Sequence, residues 1–248
     1  MADVIVITGG SRGIGAATAE LAAARGYDVL INYRSNDTAA QAVAGRVRAA
    51  GQRCVAVAGN VAEEADVVAL FDTCDREFGP PAGLVNNAGV VGLQSRVEAM
   101  DAARLNAIFA INITGSFLCA REAVKRMSTK NGGSGGSIVN LSSAAARLGS
   151  PNEFVDYAAS KGAIDTFTLG LAKEVATEGI RVNAVRPGLI DTEIHAASGE
   201  PGRIDRLRSA IPMQREGTAA EVARTILWLL SEESGYTTGS FIDVAGGR

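Results

Sequence analysis

The stretch that decides the fold is Val4-Ile5-Val6-Ile7-Thr8-Gly9-Gly10-Ser11-Arg12-Gly13-Ile14-Gly15. Its four consecutive apolar residues are typical of a strand that is buried on both faces of a parallel sheet. Gly9 permits a tight turn, Gly13 lets a ligand approach the backbone, and Gly15 lets the following helix pack close to the sheet. The N-terminus of that helix offers free N–H groups to a phosphate. The spacing differs from G-x-G-x-x-G, so the turn indicates a nucleotide site without fixing its class.

The alternation of buried strand and helix continues along the chain. Further apolar runs predict strands at 29–31, 54–57, 84–87, 138–141, 182–185 and 240–244. Helices are predicted between them, at 13–25, 38–50, 63–78, 101–127, 155–177 and 219–230. Strict alternation predicts an α/β protein, a doubly wound Rossmann fold with helices on both faces of a mostly parallel sheet. No linker separates a second unit, so we expect one domain over residues 1–248.

The composition argues against several classes of protein. A net charge of −3 and 5% aromatic residues offer neither a basic surface nor stacking platforms for nucleic acid. Cys54, Cys74 and Cys119 stand in apolar patterns, which predicts free buried thiols in a reducing compartment. With one histidine and no cysteine cluster, no metal site is expected. The uncharged run 105–120 is short and contains polar residues, so we expect no membrane span. No signal-peptide pattern is present, and we therefore expect a cytoplasmic protein.

The end of the second strand bears on which nucleotide is bound. In an NAD site, an acidic residue at this position accepts hydrogen bonds from the ribose hydroxyls, but here the strand ends Asn32-Tyr33-Arg34. Arg12 stands in the glycine turn, close to the same place. Two guanidinium groups suit a 2′-phosphate, although solvated surface arginines are the alternative. The sequence therefore predicts a preference for NADP(H).

Tyr157 and Lys161 lie four residues apart in a predicted helix, which places both side chains on one face. An ammonium group held near a phenol stabilises the phenolate and lowers its pKa. Such a tyrosine can give or take a proton near neutral pH, although the same spacing is common on exposed helices.

Several motifs together resemble the short-chain dehydrogenases/reductases, in the single-domain branch that includes 3-oxoacyl-carrier-protein reductases and glucose-type sugar dehydrogenases. They are the glycine turn, Asn86-Asn87-Ala88-Gly89, Asn112, Ser143, Tyr157-x-x-x-Lys161 and Pro187-Gly188, in that order. The resemblance covers the whole chain. It implies a seven-stranded sheet, a nicotinamide cofactor, and transfer of hydride to or from a carbonyl or secondary alcohol.

The resemblance also assigns catalytic roles. Tyr157 would be the general acid and base, and Lys161 would lower its pKa and bind the nicotinamide ribose. Ser143 would stabilise charge on the substrate oxygen, with Ser142 as its competitor. Asn112 would hold a water that links Lys161 to solvent, although a buried asparagine can equally be a packing residue.

Cofactor contacts are carried over in the same way. Asn86, Ala88 and Gly89 would line the adenosine side, Asn60 would bond the adenine, and residues 187–192 would hold the nicotinamide end. The complete predicted set is Gly9, Ser11, Arg12, Gly13, Ile14, Gly15, Tyr33, Arg34, Asn60, Val61, Asn87, Ala88, Gly89, Tyr157, Lys161, Pro187, Gly188, Ile190 and Thr192.

The substrate is less constrained than the cofactor. The irregular segment 191–217 is predicted to close over the site as a lid, and its arginines suit either an anionic substrate or a solvated surface. Ser143, Glu153, Phe154 and His195 are the candidate substrate contacts. The small apolar faces of helices 101–127 and 155–177, by the same resemblance, imply a homotetramer. A nucleotide-binding sensor without catalytic activity is the alternative function.

Overall fold

A computed structural model of the chain describes residues 2–194 and 198–248. Seven strands form one sheet in which every pairing is parallel, in the order β3-β2-β1-β4-β5-β6-β9. These strands are β1 Val4–Ile7, β2 Asp28–Tyr33, β3 Cys54–Ala58, β4 Gly83–Asn86, β5 Gly136–Leu141, β6 Ile180–Pro187 and β9 Phe241–Val244. The predicted α/β Rossmann fold is confirmed.

Helices connect the strands, with bounds close to those predicted. The α-helices are α1 Gly13–Ala24, α2 Asp37–Ala49, α3 Glu64–Glu77, α4 Ala102–Phe109, α5 Gly115–Met127, α6 Ala145–Leu148, α7 Val155–Val175, α8 Arg203–Leu207 and α9 Ala219–Leu230. Short 3₁₀ turns occupy Val97–Ala99, Thr129–Asn131, Ala176–Glu178, Arg208–Ala210 and Glu232–Ser234. Within the predicted lid, β7 Ile190–Asp191 pairs with β8 Gly217–Thr218, a pairing that the sequence did not predict.

Two apolar layers sandwich the sheet, because neighbouring residues of a strand point to opposite faces. Ile5 and Ile7 of β1 face α1, α2 and α9, whereas Val4 and Val6 face α3, α5 and α7. Cys54, Cys74 and Cys119 are buried in these layers as free thiols, as predicted. Burial raises their pKa values to between about 11 and about 12, which keeps them protonated near neutral pH.

The predicted helix 101–127 is interrupted in its middle. α4 and α5 are joined by a π-helical segment, Ala110–Thr114, in which Asn112 is buried. By length and composition alone the run Ala102–Met127 is apolar enough to cross a membrane. In this fold it packs against α3 and β4, as a core helix of a globular protein does.

Candidate active site

A cavity of about 790 Å³ lies beyond the carboxyl ends of the central strands. A volume of this size suits a cofactor together with a small substrate. The strand order reverses between β1 and β4, which is where open α/β sheets bind ligands. The predicted site residues that line the cavity are Gly9, Ser11, Arg12, Gly13, Ile14, Tyr33, Arg34, Asn60, Val61, Asn87, Ala88, Gly89, Ser143, Glu153, Phe154, Tyr157, Lys161, Pro187, Gly188, Ile190 and Thr192.

Two of the predicted site residues, Gly15 and Asn112, do not line the cavity, and neither does Asn86. His195 lies outside the described residues. Gly15 is buried away from the cavity, where a Cβ atom would stand 2.4 Å from the Gly9 carbonyl oxygen, so its role is in packing. Asn86 points into the interior and donates to the Ser116 carbonyl and to the Asn140 side chain. The prediction that Asn86 lines the adenosine side is therefore wrong, whereas Asn87 does line the cavity.

The glycine turn is held from two sides. The Thr8 hydroxyl accepts from the backbone N–H groups of Asn87 and Ala88, each at 3.0 Å. The Asn87 amide in turn donates to the Thr8 and Gly9 carbonyls. On the other side, the Gly10 N–H donates to the backbone carbonyl of Asn32 at 2.8 Å, and the Gly9 N–H donates to the Asn32 Oδ1 at 3.4 Å. Sequence reasoning missed Thr8 and Asn32 as supports of the turn, although polar residues at the ends of apolar strands were a usable signal.

This end of the cavity fits a phosphate-bearing nucleotide. Among the described residues, no side chain caps the N-terminus of α1 and no acidic residue stands in its first turn. Residues 12–14 line the cavity, so the positive end of the helix faces it. Gly13 has φ +52°, and a Cβ atom there would meet the Thr192 side chain at 3.3 Å. The uncapped end of α1 offers N–H donors to an anion, whereas the space beside Gly13 is bounded by Thr192 and by the Glu193 Oε2, 3.7 Å from that Cβ position.

Arg12 and Arg34 line the same end of the cavity and are exposed. Among residues 2–194 and 198–248, neither side chain has an ion pair or hydrogen bond. The hydroxyl of Tyr33, the last residue of β2, donates to Asp37 at 2.6 Å. Two cations without a protein counter-ion are therefore available to an anionic ligand.

Ser143, Tyr157 and Lys161 meet at the other end of the cavity. Ser143 follows β5, its hydroxyl accepts from the Ala145 N–H at 3.1 Å, and it lies close enough to Tyr157 to act against the rise in the phenol's pKa. Ser142 instead points inward and donates to the backbone carbonyl of Lys161 at 3.3 Å. The Nζ atom of Lys161 lies 5.6 Å from the centre of the Tyr157 ring. The geometry thus places Ser143, and not Ser142, beside the phenol.

The electrostatics of the pair differ from the prediction. Burial raises the pKa of Tyr157, while hydrogen bonding by Ser143 and the charge of Arg203 act against the rise. Burial lowers the pKa of Lys161 to about 8, and its Nζ donates to the Leu141 carbonyl at 2.6 Å. The predicted lowering of the Tyr157 pKa by Lys161 is therefore wrong for these side chains by themselves, because desolvation outweighs the neighbouring charges.

The buried side chain of Asn112 is satisfied by protein contacts, as the packing alternative for this residue expects. Its side chain accepts from the Val90 N–H at 2.8 Å and donates to the Val90 carbonyl at 2.9 Å. It also donates to the Ser160 hydroxyl at 3.0 Å, and it does not line the cavity. Its amide thus fastens the loop after β4 to α7, and the water that would link Lys161 to solvent stays a prediction.

The lid contacts the cavity wall through Glu153. The carboxylate of Glu153 pairs with Arg203 at 2.7 Å and with Arg206 at 2.6 Å. The Arg203 guanidinium also lies 4.7 Å above the ring of Phe154, and its charge is felt at Tyr157. Glu153 and Phe154 line the cavity as predicted, but the carboxylate of Glu153 already has the lid arginines as partners.

Comparisons with known proteins agree with this geometry. A family model described as enoyl-(acyl carrier protein) reductase matches residues 9–248. The chain is 58% identical over 245 residues to the uncharacterized oxidoreductase YgfF of Escherichia coli, with 99% of each chain covered. It is 38% identical to a 3-oxoacyl-[acyl-carrier-protein] reductase of Synechocystis, covering 99% of this chain and 96% of that one.

A solved structure gives the same result at the level of the fold. The crystal structure of a short-chain type dehydrogenase/reductase from Mycobacterium marinum superposes with a TM-score of 0.93, at 32% identity, over 99% of this chain and 94% of the other. Fold, family model and relatives coincide, and the chain belongs to the short-chain dehydrogenase/reductase family.

Proposed function

We propose that this chain is an NADP(H)-dependent oxidoreductase that interconverts a carbonyl compound and its secondary alcohol. Membership of the family implies a nicotinamide cofactor, and when bound it supplies or accepts the hydride. The observation that carries the proposal is the meeting of Ser143, Tyr157 and Lys161 in the wall of one cavity.

These side chains divide the remaining chemistry among themselves. In reduction, the Tyr157 hydroxyl gives its proton to the carbonyl oxygen, and in oxidation it takes the proton back. The Ser143 hydroxyl, beside it, donates a hydrogen bond to the same oxygen and stabilises the negative charge that develops there. With a pKa of about 8, Lys161 is mostly protonated at pH 7 and keeps a positive charge behind the phenol.

The preference for NADP(H) over NAD(H) rests on Arg12 and Arg34. Both line the cavity, both lack a partner among the described residues, and β2 ends without an acidic side chain. A 2′-phosphate is the group of the cofactor that two unpaired guanidinium groups would bind. Residues 9–14 would hold the pyrophosphate, and residues 187–192 the nicotinamide end.

The substrate we propose is a small carbonyl compound or alcohol, such as a 3-oxoacyl thioester, a sugar or a ketone, handled in the cytoplasm. A homotetramer is part of the proposal, because α5 and α7 present large apolar side chains to solvent. Phe117 is 47% exposed and stacks on Phe167, and Leu169 is 42% exposed.

Steady-state kinetics with a panel of such substrates, with NADPH and NADH, tests the proposed reaction. Tyr157→Phe should bind NADPH with unchanged affinity, measured by fluorescence. Its kcat should fall by about 10²–10⁴-fold, which is the rate enhancement that a positioned proton donor usually provides. Ser143→Ala should also lower kcat, whereas Ser142→Ala is the matched control and should retain it. Binding of NADPH without turnover of any substrate, unchanged by Tyr157→Phe, would identify a catalytically silent sensor instead.

The cofactor preference is tested with Arg12→Ala and Arg34→Ala. Each should raise the KM for NADPH by about 10-fold or more, because a charge-assisted hydrogen bond to the phosphate is lost, and leave the KM for NADH nearly unchanged. Arg25→Ala, an exposed arginine outside the cavity, is the control. Equal catalytic efficiency of the wild-type protein with both cofactors would contradict the assignment.

A further inference from the structure

A buried stripe runs along α7 beside the two residues of the proposed acid–base pair. Asp156 and Ser160 each stand one residue before Tyr157 and Lys161, and they are likewise four apart. The Asp156 side chain has no exposed surface, and Ser160 is fully buried. Whatever fixes this stripe fixes the orientation of Tyr157 and Lys161, because one rigid helix carries all four.

Arg104 of α4 binds the first residue of the stripe. Its Nε donates to the Asp156 Oδ2 at 2.6 Å, and the Asp156 Oδ1 accepts from the backbone N–H of Tyr157 at 2.8 Å. The Arg104 Nη1 donates to the Leu93 carbonyl at 2.6 Å. A single guanidinium therefore joins the start of α7 to the loop after β4.

Asn112 makes the same kind of connection one turn further along α7. It binds both backbone groups of Val90 and the hydroxyl of Ser160. Val90 and Val91, which line the cavity, lie in the loop between the two attachment points. Arg104 and Asn112 thus hold one wall of the substrate cavity in register with the helix that carries the proton donor.

A contribution to the stability of the fold does not explain why Arg104 and Asp156 are paired here. Removing both charges from water is costly, and a buried pair often gains nothing over apolar residues of similar size. The Arg104 Nη2 is buried without a hydrogen-bond partner, which adds to that cost. Gly92 makes room for the guanidinium, since a Cβ atom there would stand 2.8 Å from the Arg104 Cζ. An arrangement that costs stability and needs a glycine points to a geometric role.

We propose that Arg104 and Asp156 are positioning residues that align the Tyr157 hydroxyl with a substrate held against Val90 and Val91. The inference rests on the proposed function, since it assigns the alignment of that proton donor. The Asp156 end orients the start of α7 and acts on kcat. The Leu93 end holds the cavity wall and acts on the KM of the substrate.

The experiment uses the double variant Arg104→Met/Asp156→Asn, which removes both charges and leaves no buried ion unpaired. We expect a folded protein with unchanged NADPH affinity and a kcat lowered by about 10–100-fold, since small misplacements of reacting groups have effects of that size. Arg104→Lys keeps the charge for Asp156 but lacks the fork that reaches Leu93, so the KM of the substrate should rise with kcat nearly retained. The control is Lys130→Met/Glu178→Gln, which removes an ion pair whose Nζ and Oε1 atoms are 2.6 Å apart and whose residues do not line the cavity.

A folded double variant with wild-type kcat and KM would overturn the positioning role. Gly92→Ala is a second variant for the case that the double variant does not fold. It displaces the Arg104 guanidinium without removing a charge. A wild-type kcat in Gly92→Ala would equally overturn the positioning role. The proposed function fails separately, by absence of turnover in the wild-type protein. If the wild-type protein is active and Tyr157→Phe is not, a normal double variant refutes the positioning role alone.

Discussion

Lys161 shows how a single side chain links catalysis to stability. Lys161 is 5% exposed, and burial lowers its pKa from 10.5 to about 8, with only the charge of Asp165 acting in the opposite direction. A lysine whose pKa is lowered by folding destabilises the folded state while it is charged in both states. The cost is fully present below pH 8 and disappears as the pH rises towards the unfolded pKa, because the folded protein releases the proton first.

This asymmetry predicts a pH-dependent difference between the wild-type protein and Lys161→Met. Between pH 8 and pH 9.5, the free energy of unfolding of the wild-type protein should rise by about 1–2 kcal/mol relative to that of the variant. Urea denaturation at several pH values measures the difference. Lys173→Met, at an exposed position of the same helix, should follow the wild-type curve. Parallel curves for the wild-type protein and Lys161→Met would show that Lys161 keeps its ordinary pKa.

The elements of secondary structure were predictable where a local pattern defines them. Val4–Ile7 and the other buried strands are continuous apolar runs, and α1 and α2 end at glycines with positive φ, Gly26 and Gly51. The π segment around Asn112 was not predictable, because one extra residue in a helical turn leaves the apolar period almost unchanged. The pairing of β7 with β8 involves two residues of each strand, too few for a period to appear.

In the candidate site, too, local features were predictable from the sequence and contacts between distant residues were not. Motifs such as Tyr157-x-x-x-Lys161 placed the chemistry on the chain, since their residue types and spacing are local. Partnerships across the chain were not accessible, because nothing in one sequence relates Arg104 to Asp156 or Glu153 to the lid arginines. The pKa of Tyr157 was mispredicted for a related reason, since desolvation depends on all neighbours of the phenol and not on Lys161 alone.

The start of α9 gives a prediction at this scale. Thr218 and Glu221 form a capping box, in which the Thr218 hydroxyl accepts from the Glu221 N–H and the Glu221 carboxylate accepts from the Thr218 N–H. Thr218→Ala should lower the free energy of unfolding by about 1 kcal/mol and the Tm by about 2–4 °C. Thermal denaturation followed by circular dichroism measures the change. Thr73→Ala, inside α3, is the comparison, and an equal shift in both variants would argue against a capping contribution.

For the whole molecule, the apolar side chains of α5 and α7 predict association. Exposed residues such as Phe117 and Leu169 lie on helices that also support the active site. Leu169→Glu should convert the proposed tetramer into smaller species in sedimentation velocity at micromolar concentration, because a charge would be buried in the interface. Ala42→Glu, on the exposed side of α2, adds the same charge on the opposite layer and should leave the assembly intact. A monomeric wild-type protein would refute the homotetramer.

The strand order has a consequence for how the chain folds as it is synthesised. β1 leaves the ribosome early, yet one of its two edges stays open until β4 arrives, because Ile5 pairs with Gly83. The last strand, β9, completes the sheet by pairing with β6 after the rest has emerged. Pairings so distant along the chain make folding slow and leave apolar strand edges exposed in the meantime.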